Sequence, residues 1–227
     1  MKVSVLIPVY NEQTSVCAVI QRVQATGLAH EIVVVDDGST DCTAQALAPL
    51  DGQGGVRVIL QTPNQGKGAA LRAAIKAATG DVLLVQDADF EYNPSDYPDL
   101  LSPIERGETN VVYGSRFLGG MPQGILWRSA LANKALTFMT NVLFGNRLTD
   151  METCYKVFRR EVMADVNLRA NRFDFEPEFT AKILKKGETI VEVPISFDPR
   201  AYKEGKKIGA KDGIMAIWAL IKYRLTD

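Results

Sequence analysis

Asp87-Ala88-Asp89 closes the apolar run Val82-Leu83-Leu84-Val85. Two carboxylates one residue apart at a strand end can hold Mg²⁺ or Mn²⁺, with a substrate diphosphate and water completing the shell. Asp89 is the first candidate metal ligand, and Asp87 is a second ligand or a ribose partner. Alone, the triplet also fits an ordinary turn. Two further apolar runs end in polar groups, at Pro8-Val9-Tyr10-Asn11-Glu12 and at Asp36-Asp37-Gly38-Ser39. Open α/β sheets bind ligands at the carboxyl ends of their strands, so three such ends point to one nucleotide pocket. Asp37 can accept hydrogen bonds from a ribose or a base edge there; a turn with a helix cap is the plainer use of its segment.

The other candidates are phosphate grips and bases. Asn64-Gln65-Gly66-Lys67-Gly68 lacks the P-loop spacing, and no G-x-G-x-x-G follows the first strand, which disfavours P-loop and dinucleotide enzymes. Lys67 either reaches a phosphate or opens a helix in solvent. Arg116, in Gly114-Ser115-Arg116, follows another strand and can grip a diphosphate or an acceptor phosphate bidentately. Arg128 offers the same chemistry, or a solvated helix start. Asp150 and Glu152 in Asp150-Met151-Glu152-Thr153-Cys154-Tyr155-Lys156 suit a general base for a hydroxyl acceptor, and suit helix termination and capping equally. From Arg200 to Arg224 seven basic residues face only Glu204 and Asp212. Such a run is a solvated surface, or a site for an anionic acceptor or lipid headgroup.

Alternating elements must position these groups. Strands are expected at Val3–Pro8, Glu31–Asp36, Val56–Gln61, Asp81–Gln86, Asn110–Gly114 and Glu188–Val193. Helices are expected at about Glu12–Ala25, after a cap at Ser39 or Thr40, and at Gly66–Ala78, Trp127–Phe144, Asp174–Lys186 and Asp212–Arg224. The β-α-β-α order predicts an α/β fold, a mainly parallel sheet with helices on both faces. Helix 127–144 carries Leu131, Ala135, Phe138, Met139, Val142 and Leu143 on one face, read as packing on the core or lying in a membrane interface. One domain is expected over 1–227, with a nucleotide- and metal-binding half over 1–120 and an acceptor-side half over 121–227.

Bulk properties narrow the classes. A net charge of -1 gives no case for nucleic acid, and 46% hydrophobic with 23% charged residues reads as globular. Cys17, Cys42 and Cys154 form neither a metal-ligand spacing nor a disulfide framework, which favours a reducing compartment. His30 is the single histidine, so histidine-based triads and metal sites lose most of their candidates. No signal peptide is visible at the start, and the longest apolar run is too short to span a bilayer. A cytoplasmic protein is therefore expected.

Ile7-Pro8-Val9-Tyr10-Asn11-Glu12, Val34-Val35-Asp36-Asp37-Gly38-Ser39-Thr40-Asp41, Asn64-Gln65-Gly66-Lys67-Gly68 and Asp87-Ala88-Asp89, in this order and spacing, resemble the family 2 glycosyltransferases. Gly114-Ser115-Arg116 and Arg200…Gly205-Lys206-Lys207 resemble, more loosely, the dolichyl- or polyprenyl-phosphate mannose synthase branch. The resemblance implies a GT-A (Rossmann-like) fold and an inverting, metal-dependent transfer from a GDP- or UDP-linked sugar. The acceptor it implies is a polyprenyl phosphate, or else a sugar hydroxyl of a glycan or glycolipid. It also implies a place in cell-envelope glycan biosynthesis, with peripheral contact at the inner face of the cytoplasmic membrane. By position, Pro8, Tyr10, Glu12, Val35 and Asp37 surround the nucleoside, and Asp87, Ala88 and Asp89 face the metal and diphosphate. Arg116, Arg128, Arg200 and Lys206 meet donor or acceptor phosphates. The chain departs from the branch at Asp150-Met151-Glu152-Thr153-Cys154, where an Asp-x-x-Ser-Gly-like motif is usual, and at Lys206-Lys207, where Ser-Lys is usual. Two rivals remain: a sugar nucleotidyltransferase, which wants an arginine-containing glycine loop after the first strand, and a non-catalytic nucleotide-sugar or lipid-binding subunit.

Overall fold

A computed structural model describes residues 1–199 and 210–226. Seven strands form one mixed, mostly parallel sheet: β1 (Val3–Val9), β2 (Glu31–Asp36), β3 (Val56–Leu60), β4 (Val82–Val85), β5 (Val111–Ser115), β6 (Lys156–Arg159) and β7 (Ile190–Pro194). Their spatial order is β3-β2-β1-β4-β6-β5-β7. The chain leaves β1 towards β2 on one side and returns to β4 on the other, which makes the end of β1 a topological switch point. β1 is buried at every residue, as expected of a central parallel strand covered on both faces.

The helices are α1 (Val16–Ala25), α2 (Thr43–Leu47), α3 (Lys67–Ala77), α4 (Tyr97–Glu105), α5 (Trp127–Phe144), α6 (Phe175–Lys185) and α7 (Ala210–Leu225). α3 packs on β1 and β2, α4 on β5, and α5, α6 and α7 on one another. α1 begins at Val16, later than its apolar pattern suggests, because residues 12–15 form a turn in which Glu12 O accepts from Ser15 N and Val16 N. Neither Ser39 nor Thr40 caps α2. Ser39 Oγ accepts from Asn11 N, and Asp41 Oδ1 accepts from Thr43 N at the helix start. These bonds tie the loop after β1 to the loop after β2.

Two readings need correction. β6 was not foreseen: it runs antiparallel between β4 and β5 and opens with a buried lysine. Lys156 is tolerated there because its Nζ donates to Met151 O (2.9 Å) and Thr153 O (2.6 Å) and lies 4.4 Å from the Tyr113 ring centroid. Second, α5 does not turn its apolar face to the core. Its buried residues are Ala130, Asn133, Thr137 and Thr140, whereas Leu131, Phe138 and Val142 are 60%, 69% and 66% exposed. Ala135 is also exposed, and Met139 and Leu143 are half-buried. The polar inner stripe has work to do, as the site shows.

Candidate active site

The ends of β1, β2 and β4 and the start of α3 enclose a cavity of about 280 Å³ lined by Pro8, Tyr10, Glu12, Asp37, Lys67, Asp87, Ala88 and Asp89. Eight residues singled out from sequence thus meet in one place. Val35 does not line it; it is fully buried in β2, one residue short of the strand end. Asp37 is fixed by its own loop, its carboxylate accepting from Gln65 N (2.9 Å) and Gly66 N (2.6 Å). The Asn64-Gln65-Gly66 turn is therefore held against the end of β2, and Asp37 meets a ribose only beyond those bonds.

The glycines of that turn have a steric reason. Gly66 has φ +105, and a Cβ there would strike Asn171 O; a Cβ on Gly68 would stand 2.5 Å from Ala170 O. Without side chains at these positions, the 170–173 segment lies against the start of α3 and brings Arg172 and Phe173 into the cavity wall. No motif marks those two residues. Glu91, also in the wall and two residues beyond Asp89, was likewise passed over.

β4 positions the two aspartates. Gln86 is fully buried, its Oε1 accepts from Tyr97 Oη (2.9 Å) and Tyr155 Oη (2.8 Å), and its Nε2 donates to Asp87 O (2.9 Å). This clamp fixes the backbone where β4 ends. Asp89 Oδ1 accepts from Glu91 N (3.0 Å), and Asp87 Oδ1 lies 2.8 Å from Lys67 Nζ. Lys67 also pairs with Glu176 Oε1 on α6 at 3.1 Å. Burial works against the lysine charge, but the carboxylates of Asp87 and Glu176 outweigh it and raise its pKa well above the usual range. Lys67 is thus a fixed cation beside the aspartates.

Arg116, Asp150 and Glu152 form a neighbouring cluster outside the cavity wall. Asp150 is fully buried and both its oxygens are engaged. Oδ2 accepts from Arg116 N (3.0 Å) and Nε (2.7 Å), and Oδ1 from Arg116 Nη2 (2.8 Å) and Asn133 Nδ2 (3.0 Å). A carboxylate with four donors around it is not placed to take a proton; it orients Arg116 and leaves Nη1 outside these bonds. Glu192 holds the same turn, accepting from Thr149 N (2.7 Å) and Asp150 N (2.9 Å). Glu152 differs: burial, then the charge of Glu176, pushes its pKa up, against the pull of Lys156 and Arg116. Glu152 Oε1 and Glu176 Oε2 are buried and accept no hydrogen bond. Arg128 is exposed on α5, 5.3 Å from the Trp127 ring centroid. Arg200 and Lys206 lie outside the described residues.

The model of glycosyl transferase family 2 matches residues 4–166. This chain belongs to that family. That is the family the resemblance implied, and the seven-stranded sheet is the GT-A arrangement. Dolichol-phosphate mannosyltransferase of Pyrococcus furiosus is 33% identical, over 98% of this chain and 64% of the relative. Polyprenol monophosphomannose synthase of Mycolicibacterium smegmatis is 32% identical, over 91% of this chain and 81% of the relative. The chain thus spans less than two thirds of the first relative's length. Glucosyl-3-phosphoglycerate synthase of Mycobacterium tuberculosis in complex with UDP superposes with a TM-score of 0.78 at 22% identity, covering 100% of this chain and 81% of that one. The same enzyme with Mn²⁺, UDP and phosphoglyceric acid gives 0.75 at 21% identity, over 98% and 78%. Identities this low speak for the fold alone.

Proposed function

We propose that this family 2 enzyme moves a sugar from a GDP- or UDP-linked donor to a polyprenyl phosphate, with inversion at the sugar carbon. The observation that carries this reading is the cavity at the switch point, where the ends of β1, β2 and β4 meet Lys67. Pro8, Tyr10, Glu12 and Asp37 suit the nucleoside; Asp87 and Asp89 suit the diphosphate.

The donor set fits a hard divalent cation, Mg²⁺ or Mn²⁺. Asp87 and Asp89 offer carboxylate oxygens to one cavity, and among the described residues no cluster of three His, Cys, Asp or Glu adds further ligands. A shell with few protein ligands, completed by substrate phosphates and water, is the usual one for Mg²⁺. Asp89 is the first ligand of the pair, and Asp87 also meets Lys67. When bound, the cation supplies neutralisation of the leaving diphosphate. Lys67 adds a second positive charge on the same side, and Arg116, held by Asp150, faces the incoming phosphate. A lipid phosphate is already anionic, so attack on the anomeric carbon needs no strong base. Two relatives, a dolichol-phosphate mannosyltransferase and a polyprenol monophosphomannose synthase, support this acceptor by their names.

A sugar hydroxyl as acceptor is a second reading, favoured by the raised proton affinity of Glu152, which suits that residue to general-base work. A polyprenyl phosphate or a glycolipid acceptor implies peripheral contact at the inner membrane face; a free glycan does not. The test is incubation with GDP-mannose or UDP-linked hexoses, Mn²⁺, and either a polyprenyl phosphate or a free glycan. Labelled sugar passing into the organic phase with the lipid is the expected result. Transfer to the glycan alone overturns the lipid-phosphate reading, and binding without transfer to any acceptor overturns the catalytic one for this chain by itself.

A further inference from the structure

Glu176 Oε2 is a buried carboxylate oxygen that accepts no hydrogen bond from any described residue. Leaving such an atom without a donor is costly, so it calls for a reason. The other oxygen of the same carboxylate, Oε1, lies 3.1 Å from Lys67 Nζ, and that ammonium also lies 2.8 Å from Asp87 Oδ1. Lys67 therefore stands between a carboxylate assigned above to the divalent cation and one with an oxygen to spare. Lys156 is not the missing donor, because its buried ammonium is engaged by Met151 O and Thr153 O.

The two carboxylates are mounted differently from the lysine. Glu176 is the second residue of α6, where a helix N-terminus favours negative charge. The approach to that turn is pinned. Glu178, fully buried, accepts from Arg169 N (2.9 Å) and Ala170 N (2.6 Å) and pairs with Lys182 at 2.9 Å, while Asp174 Oδ1 accepts from Arg172 N at 3.0 Å. Asp87 is held by the Gln86 clamp at the end of β4. Lys67, the first residue of α3, carries its ammonium on a flexible four-carbon stem. The carboxylates stay in place, and the ammonium can move between them. A doubly charged cation on Asp87 repels an ammonium seated 2.8 Å from the same carboxylate. On the other side of that ammonium is Glu176, with Oε2 open.

We propose that Glu176 is a positioning residue that takes the Lys67 ammonium over from Asp87 when a divalent cation claims that carboxylate. Before the donor binds, Lys67 neutralises Asp87; afterwards Glu176, through both oxygens, keeps the same charge beside the diphosphate. Asp87 then serves the cation without competition from the lysine, and the lysine stays in the site. The inference rests on the donor-site reading above, since it needs Asp87 at the cation. It adds α6, from the second half of the chain, to the elements that set metal affinity. Groups that support a metal ligand from behind change metal affinity by about ten- to a hundredfold when they are lost.

The test reads metal rather than turnover: the Mn²⁺ concentration that gives half of the melting-temperature rise at one fixed concentration of GDP or UDP. In Glu176→Gln, Lys67 has only Asp87 left, and the Mn²⁺ requirement is expected to rise about tenfold or more over the wild type. In Lys67→Met with Glu176→Gln no ammonium competes for Asp87, and the requirement is expected to fall back to the wild-type value. The rise itself is smaller there, because the lysine no longer meets phosphate, but its midpoint in Mn²⁺ still reports the competition. Any loss of stability from Glu176→Gln is common to both variants, so their difference isolates the lysine. An unchanged Mn²⁺ requirement in Glu176→Gln overturns the inference. So does a double variant no better than the single one, which is what a merely structural Glu176 would give. A wild-type chain whose transition Mn²⁺ does not move with either diphosphate overturns the donor-site reading itself, and this inference with it.

Discussion

Asp150 shows how one acidic residue is read differently once its neighbours are known. In sequence it sits two positions from Glu152 in a loop, and either carboxylate suits a base. Folded, it is enclosed by Arg116 and Asn133 with both oxygens in use. Substituting Asp150→Asn keeps the shape and removes the charge that Arg116 faces. Removing one partner of a buried ion pair costs about 3–5 kcal/mol, because the other charge stays buried without compensation. The expected outcome is a lower denaturation midpoint and reduced turnover, with the shape of the pH–rate profile unchanged. Loss of an acid-side limb in that profile would return the role of base to Asp150. The strand-end candidates were legible because their chemistry is concentrated in short segments: Asp87, Asp89 and Asp37 each stand where an apolar run stops. Arg172, Phe173 and Glu176 were not, since they come near Lys67 only where the 170–173 segment lies on the start of α3 and Glu176 pairs with the lysine.

Among the elements, the β1, β2 and β4 runs follow from apolar patterning, which burial on both sheet faces makes strong; β3 at the sheet edge and the bounds of α5 were legible from their apolar runs without such burial. β6 is four residues long and begins with a lysine, so periodicity has little to act on. The orientation of α5 was legible only in part. Its leucine and phenylalanine stripe is real, but the polar Asn133 and Thr137 are what the interior needs to hold Asp150 and Met151. The join between α3 and the 170–173 loop gives a test at this scale. Gly68→Ala places a Cβ against Ala170 O, and Gly66→Ala adds a left-handed conformation that L-residues resist. Strain of this kind costs about 1–3 kcal/mol. Each variant is expected to unfold at lower urea and to bind nucleoside diphosphate more weakly, since the loop that must give way carries Arg172 and Phe173. Unchanged binding in a destabilised Gly68→Ala protein would remove that loop from the donor site.

At the scale of the molecule, the ends of β1, β2 and β4 bring the cavity to one end of the sheet, and α5 carries Asn133 of the Arg116 cluster on its inner side and an apolar face on its outer side. The half of the chain before residue 120 was read closely because its motifs are local. The half after it depends on contacts among α5, α6 and α7, which no spacing announces. The central claim is that Asp89, with Asp87, makes nucleoside diphosphate binding depend on a divalent cation. Melting temperature measured with GDP and with UDP, each with and without Mn²⁺, on the wild-type chain and on Asp89→Asn, tests it most directly, because a ligand bound only by the folded state must raise the transition. A rise with one of the two diphosphates that requires Mn²⁺ and disappears in Asp89→Asn is expected. An equal rise without metal, or one that Asp89→Asn retains in full, would contradict it.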